Sequence, residues 1–185
     1  MRKSVLLIII IAITHFVFCE ELDSKEEEFR SLPNVKIKTL KGKKISSKKL
    51  TENKFTMMSF WATWCVPCLK EMKELNIMHH KYEDNNFQVV GISIDDTKTA
   101  KKISTILKSK KISYPIYLDT EQKFFGQFNS EALPFSFLVS PEGKILWEHS
   151  GYIPGDEKEI EAVIVDALGL KTSDPGDSTS MIKPD

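Results

Sequence analysis

The chain contains few cysteines for its length, with three among 185 residues. Cys19 lies in an apolar N-terminal run, so only Cys65 and Cys68 remain for the rest of the chain. A framework of several structural disulfides is therefore excluded. A zinc centre needs four ligands, and the four histidines are scattered; the adjacent His79 and His80 would lie about 100° apart on one helix and could not face the same ion.

The chain also lacks an excess of charge of either sign, because 26 basic residues balance 26 acidic residues. Nothing in this balance indicates a surface for nucleic acid, and we interpret the short lysine clusters as solvated faces. Apolar residues make up 41% of the sequence and charged residues 28%. This composition suits a single domain with a sizeable hydrophobic core. The charge balance predicts that nucleic acid is not a partner.

No apolar run at the N-terminus is long enough to span a membrane comfortably. Arg2 and Lys3 precede an apolar run over residues 5–13, and a weaker stretch continues to Phe18. As a helix, residues 5–19 would be about 22 Å long, against about 30 Å for the hydrocarbon core of a bilayer. We therefore predict a signal peptide over residues 1–19, cleaved ahead of Glu20. A retained anchor and a lipid attached to Cys19 are the alternatives.

Export places the mature protein in the periplasm or on the outer face of the cytoplasmic membrane. Residues 20–30 are charged and predict a spacer. Residues 171–185 are rich in Ser, Thr, Asp, Pro and Gly and predict a disordered tail. One folded domain is expected between them, over residues 31–170.

The pattern of apolar residues in this domain predicts an α/β fold. Alternation around a Lys-Gly turn indicates a β-hairpin within residues 32–50, and continuous apolar runs predict buried strands. The expected strands after the hairpin are 55–62, 87–94, 114–118, 135–139 and 144–149. The expected helices are one after Cys65, then 97–110, 122–128 and 156–168.

Cys65 and Cys68 stand where the first buried strand passes into an amphipathic helix. One helical turn separates the two sulfurs, so a small disulfide ring can close between them. The helix N-terminus favours a thiolate on Cys65, which is therefore the predicted nucleophile. Cys68 is positioned to resolve a mixed disulfide formed at Cys65. Trp64 is predicted to flank the exposed sulfur and to contact clients, with simple packing as the alternative.

Glu71 is the one acidic residue predicted on the buried face of this helix. The apolar residues of that face are Leu69, Met72, Leu75, Met78 and Tyr82. Glu71 lies one turn beyond Cys68, and a carboxylate withdrawn from water there is expected to have a raised pKa. It could then exchange protons with Cys68. The alternative is a border residue that reaches solvent or a surface lysine.

Several motifs resemble the thioredoxin superfamily over roughly residues 30–170. The most similar members are the exported thiol-disulfide oxidoreductases that include the cytochrome c maturation reductases. The motifs are Phe-Trp-Ala-Thr-Trp-Cys-Val-Pro-Cys at 60–68, Gly-Ile-Ser-Ile-Asp at 91–95, Tyr-Pro-Ile at 114–116, Leu-Pro at 133–134 and Pro-Glu-Gly-Lys-Ile at 141–145. The resemblance implies a thioredoxin-like fold, a central mixed β-sheet flanked by helices, with an N-terminal β-hairpin extension.

The resemblance also implies roles for individual residues. Pro134 would be a cis-proline facing the disulfide, and the backbone of Leu133 would pair with an extended client segment. The position of Glu71 matches a functional glutamate of the cytochrome maturation reductases. Two positions depart from the family pattern: Ser59 stands where cytosolic thioredoxins often have a buried Asp, and Phe-Ser at 135–136 replaces the usual pair of Thr.

The predicted function is that of an exported thiol-disulfide oxidoreductase, a reductase of client disulfides that could include those of apocytochromes c. No bound cofactor is required. The expected partners are client proteins with disulfides and a membrane thiol donor that recharges the pair, and a monomer is expected. The alternatives are a disulfide oxidase or isomerase and, from another class, a copper-binding module of the same fold.

Overall fold

The structure is a computed structural model that describes residues 29–51 and 53–170. The predicted signal peptide, most of the predicted spacer and the predicted C-terminal tail lie outside the described residues.

The described residues contain seven strands: β1 Lys36–Thr39, β2 Lys44–Ser46, β3 Phe55–Trp61, β4 Phe87–Ser93, β5 Ile116–Leu118, β6 Phe135–Val139 and β7 Ile145–Ser150. They form one mixed sheet in the order β2-β1-β5-β4-β3-β6-β7. Strand β3 lies near its centre, parallel to β4 and antiparallel to β6. All seven strands match elements expected from the sequence pattern.

The N-terminal hairpin extends the sheet rather than standing apart from it. Strand β1 pairs antiparallel with β2, with Ile37 opposite Ile45, and its other edge pairs antiparallel with β5. The hairpin therefore covers the edge of β5, which would otherwise be exposed for pairing with another chain.

In the part of the chain that the structure describes, three α-helices accompany the sheet: α1 Val66–Tyr82, α2 Ile103–Lys110 and α3 Asp156–Ala167. Helix α1 packs against α3, where the hydroxyl of Tyr82 donates to Glu161 Oε1 over 2.8 Å and Lys81 Nζ lies 2.7 Å from the same oxygen. Helix α3 is followed by Gly169 in the left-handed region, at φ 63°, a conformation that glycine adopts readily at the end of a helix.

Two predicted helices are shorter in the structure. Of residues 97–110, the part Thr99–Lys102 is a 3-10 turn that precedes α2, and of residues 122–128 only Phe125–Gln127 is helical, again as a 3-10 turn. The carboxylate of Asp119 explains the second difference, since it accepts hydrogen bonds from the backbone N–H groups of Phe124 and Phe125. Donors held in this way are satisfied without a longer helix.

Strand β3 is buried on both faces. Its side chains alternate between an aromatic core on one face of the sheet and the side covered by α1 on the other. Phe60 points into a cluster of phenylalanine rings with centroids 5.1–6.3 Å from its own, formed by Phe124, Phe125, Phe128, Phe135 and Phe137. Ser59 immediately precedes Phe60 in the strand and therefore faces the opposite side, toward α1. The site described below is built on that second face.

Candidate active site

The two cysteines form a disulfide at the start of α1. Cys65 has extended backbone dihedrals and caps the helix, and Pro67 occupies the first turn. The cysteine Cα atoms are 5.3 Å apart. The backbone N–H of Cys68 donates to Cys65 Sγ over 3.2 Å, so a free N–H group of the helix end is directed at the first sulfur. This local geometry is the one predicted from the strand-to-helix position of the pair.

The two cysteine residues differ in their access to solvent, although both are largely covered. Cys65 retains 5% of its surface and Cys68 retains none. The order agrees with the predicted roles, but Cys65 is less exposed than the sequence suggested. Its neighbours account for this, since Trp64 and Val66 carry the exposed surface of the turn, with 64% of each residue accessible.

The loop before the cysteines is held by Asp95, the last residue of the Gly-Ile-Ser-Ile-Asp motif, for which the sequence alone predicted no contact. Its Oδ1 accepts from the Thr63 hydroxyl over 2.6 Å, and its Oδ2 accepts from the Thr63 backbone N–H over 2.9 Å. The hydroxyl of Ser93 donates to Oδ2 as well, over 2.7 Å. An acidic residue two positions past the end of β4, which runs parallel to β3, was the available signal, because both strands end at the same edge of the sheet.

Glu71 is fully buried beneath α1, as its position on the helical face predicted. Ser59 Oγ donates to its Oε2 over 2.7 Å, and Ser136 Oγ donates to its Oε1 over 2.7 Å. Burial raises the pKa of Glu71 from 4.5 to about 7, even though the two hydroxyls act in the opposite direction. The carboxyl group is therefore poised to gain or lose a proton near neutral pH.

Glu71 shares a face of α1 with Cys68. Residues three apart on a helix have Cβ atoms about 5–6 Å from each other, which places the carboxyl group one turn behind the buried sulfur. Neither serine was assigned this contact from the sequence, although both positions were recognised as departures from the family pattern. Ser59 and Ser136 are direct partners across β3 and β6, a register that a single sequence does not reveal.

The peptide bond between Leu133 and Pro134 is cis, as the resemblance implied. The carbonyl oxygen of Pro134 accepts from the backbone N–H of Gly151 over 2.7 Å. No hydrogen bond among the described residues uses the N–H or C=O of Leu133. This backbone edge is therefore free to pair with another chain.

A groove of about 590 Å³ brings Leu133 and Cys65 to the same surface. Its other lining residues are mostly apolar or neutral: Trp64, Val66, Pro67, Ile94, Phe125, Gln122 and Glu131. Three of the predicted site residues, Trp64, Cys65 and Leu133, thus line one groove. Cys68 and Glu71 lie buried within the domain.

Two features are absent from the part of the chain that the structure describes. No three side chains of His, Cys, Asp or Glu are grouped there as they would be to hold a metal ion. None of the helices described has both the length and the apolar character needed to cross a membrane.

Comparisons with known proteins agree with the geometry of the pair. The model of the AhpC/TSA family matches residues 30–148. The thiol-disulfide oxidoreductase ResA of Bacillus cereus is 30% identical over 147 residues, which cover 78% of this chain and 83% of that protein.

Two solved structures show the same fold. A Chlorobium tepidum protein described as the thiol:disulfide interchange protein DsbE superposes with a TM-score of 0.70 at 25% identity, covering 77% of this chain and 99% of that one. A thiol-disulfide oxidoreductase from Bacteroides fragilis superposes with a TM-score of 0.61 at 28% identity, covering 74% of this chain and 99% of that one.

Proposed function

Because the chain belongs to the thioredoxin-like AhpC/TSA family and is a thiol-disulfide oxidoreductase related to ResA, we propose that it acts as a reductase of disulfides in exported client proteins. Cys65 attacks the client disulfide, and Cys68 resolves the mixed disulfide by attacking the Cys65 sulfur. The client is released with both of its cysteines reduced, and Cys65 and Cys68 end the cycle joined as a disulfide. Glu71 accepts the proton of Cys68 and later returns it.

The observation that carries the direction of the reaction is that no cationic side chain among the described residues contacts Cys65 Sγ. Val66 and Pro67 separate the cysteines, so no histidine adds positive charge beside a thiolate. Among the described residues, one hydrogen bond reaches Cys65 Sγ, from the backbone N–H of Cys68. Because the Cys65 thiolate has few stabilising partners, the reduced form of the protein is only weakly stabilised relative to its disulfide form. A weakly stabilised reduced form favours donation of electrons to clients.

The reduction potential tests this direction. Equilibration of the protein in redox buffers, read by alkylation and mass analysis, is expected to give a midpoint on the reducing side, near the value of about −270 mV typical of thioredoxin. A midpoint near about −120 mV, typical of the oxidase DsbA, would instead support disulfide formation as the function.

Export is part of the same proposal. Residues 1–19 carry the pattern of a signal peptide, and the domain would act in the periplasm or on the outer face of the cytoplasmic membrane. Since that compartment is oxidising, a membrane-embedded thiol donor must reduce the pair after each cycle. The haem-binding cysteines of apocytochromes c are one class of client that fits this location.

The groove is the proposed client site. An extended client segment would pair with the free backbone edge of Leu133, beside Pro134, while its disulfide meets Cys65. The exposed ring of Trp64, with 64% of the residue accessible, would supply apolar contact area.

Trp64→Ala is expected to lower kcat/KM for a protein disulfide by roughly tenfold, because a large apolar contact with the client is lost. Turnover of a small aliphatic disulfide should change little, since that substrate does not extend over the ring. Ile77→Ala is the matched control: Ile77 is 60% exposed but does not line the groove. Equal losses on both substrates would show that Trp64 supports the fold of the loop and does not contact clients.

A further inference from the structure

Glu71 is held from two neighbouring strands at once. Ser59 on β3 and Ser136 on β6 are directly opposite each other in the antiparallel register, so their side chains project from the same face of the sheet. Each hydroxyl reaches a different oxygen of the Glu71 carboxyl group, both over 2.7 Å. Ser59 retains 1% of its surface, Ser136 retains 1% and Glu71 none, so water does not compete for these contacts.

Hydroxyl groups are unusual partners for a buried carboxyl group because they can serve both of its protonation states. An ionised carboxylate only accepts hydrogen bonds, whereas a protonated carboxyl group must also donate one. A serine hydroxyl donates to the first and can rotate to accept from the second. A lysine or arginine would hold the group ionised, and a backbone carbonyl would hold it protonated.

We propose that Ser59 and Ser136 are positioning residues that hold Glu71 behind Cys68 and keep its carboxyl group able to take up and release a proton in every catalytic cycle. The proposal rests on the proposed function, in which Glu71 exchanges a proton with Cys68. It adds that this exchange depends on two hydroxyl groups of the sheet.

The step at issue is ring closure. The thiol of Cys68 transfers its proton to the Glu71 carboxylate, and the resulting thiolate attacks the Cys65 sulfur of the mixed disulfide. The bond between Cys65 and the client sulfur breaks as the bond between Cys65 and Cys68 forms. The client sulfur leaves with the electron pair, and Glu71 then carries the proton, with one serine now accepting from it.

Other groups that face Glu71 come from the remaining elements packed around it. Asp156 at the start of α3 raises the pKa of Glu71 through charge repulsion, and its Oδ2 lies 3.4 Å from His149 Nε2 on β7. Burial raises the pKa of Tyr114 before β5 and of Tyr152 before α3, and the charge of Glu71 raises both further, so both hydroxyl groups are neutral at neutral pH. None of these residues is altered in the variants below.

The pH dependence of ring closure tests the proposal. Reduced protein is mixed with dithiobis-nitrobenzoate, which releases one coloured thiolate when Cys65 attacks and a second when Cys68 closes the ring. Ser59→Ala and Ser136→Ala are each expected to move the midpoint of the second phase upward by roughly one pH unit, because the hydrogen bond that each hydroxyl donates to the ionised carboxylate is stronger than the one it makes to the neutral carboxyl group. The double variant should move it further.

Two controls separate this effect from general loss of a buried hydroxyl group. Thr56→Val removes a buried hydroxyl from the same strand, which donates to Lys54 O and does not contact Glu71, and should leave the midpoint unchanged. Ser136→Thr keeps a hydroxyl group and should retain the midpoint of the unmodified protein.

The outcomes also separate this inference from the proposed function. If Glu71→Gln abolishes the midpoint while both alanine variants keep it, the positioning role of the serines is wrong and the role of Glu71 stands. If Glu71→Gln leaves the pH dependence of the second phase unchanged, Glu71 does not exchange a proton with Cys68. The positioning role of the two serines is then wrong as well.

Discussion

Cys65→Ser is expected to lower the rate of client disulfide reduction by roughly a thousandfold or more, because the hydroxyl group cannot replace the thiolate as the nucleophile. The fold should survive, since the lost disulfide joins residues with a sequence separation of only 3 and constrains the unfolded chain very little. Circular dichroism and the urea midpoint of the variant check this point. Turnover is measured with a protein disulfide and a regenerating thiol donor.

The matched variant Cys68→Ser should also lose turnover, but for a different reason. Cys65 remains able to attack, so one equivalent of client sulfur is captured and the reaction stops at the mixed disulfide. A Cys65→Ser protein that retains more than a few per cent of turnover would show that Cys68 can act as the nucleophile. The assignment of roles to the two sulfurs would then be wrong.

Glu71→Gln is expected to change the stability of the oxidised protein in a pH-dependent way. Burial raises the pKa of Glu71 from 4.5 to about 7 in the folded state, so the folded protein binds a proton between these values that the unfolded chain has already released. Stability therefore falls as pH rises through this window. The rise in pKa corresponds to at most about 3 kcal/mol.

The glutamine side chain does not titrate, so the variant should escape this loss. The measurement is urea unfolding of both proteins at several pH values between about 4 and 8. The stability of the variant relative to the unmodified protein should rise across the window, by at most about 3 kcal/mol. Glu74→Gln, at a partly exposed position of the same helix, is the control. Parallel pH profiles for Glu71→Gln and the unmodified protein would mean that Glu71 does not carry a buried, titrating carboxyl group.

Local sequence pattern was sufficient for the parts of the site that depend on one element. The cysteine pair follows from its position between a buried strand and a helix, and the burial of Glu71 follows from the 3.6-residue period of α1. The strands were also predicted, because buried runs such as that of β3 are long and continuous.

Contacts between distant segments could not be predicted in the same way. The contact of Ser136 with Glu71 requires the register between β3 and β6, and the contact of Asp95 with Thr63 requires that β3 and β4 end side by side. Both contacts replace water as the partner of a buried carboxyl group, so they arise only when the sheet has formed. The short 3-10 turn at Phe125–Gln127 has a similar cause, because Asp119 satisfies donors that a longer helix would have used.

The contacts with Glu71 give a structural reason for the two departures from the family pattern. Ser59 and Ser136 were recognised as unusual at the sequence level, one in place of a buried Asp and one in place of a Thr. In the structure they face each other and share the same acidic residue. The buried acid is thus supplied by α1, and the sheet supplies the hydroxyl groups that hold it.

The most direct test of the account is the isolation of the mixed disulfide. Cys68→Ser and Cys65→Ser proteins are incubated with a disulfide-containing client, quenched with acid and analysed on non-reducing gels with mass spectrometry of the adduct. We expect that Cys68→Ser accumulates a client adduct on Cys65 that a reductant releases, and that Cys65→Ser accumulates none. An adduct on Cys68 in the Cys65→Ser protein, formed at a comparable rate, would contradict it.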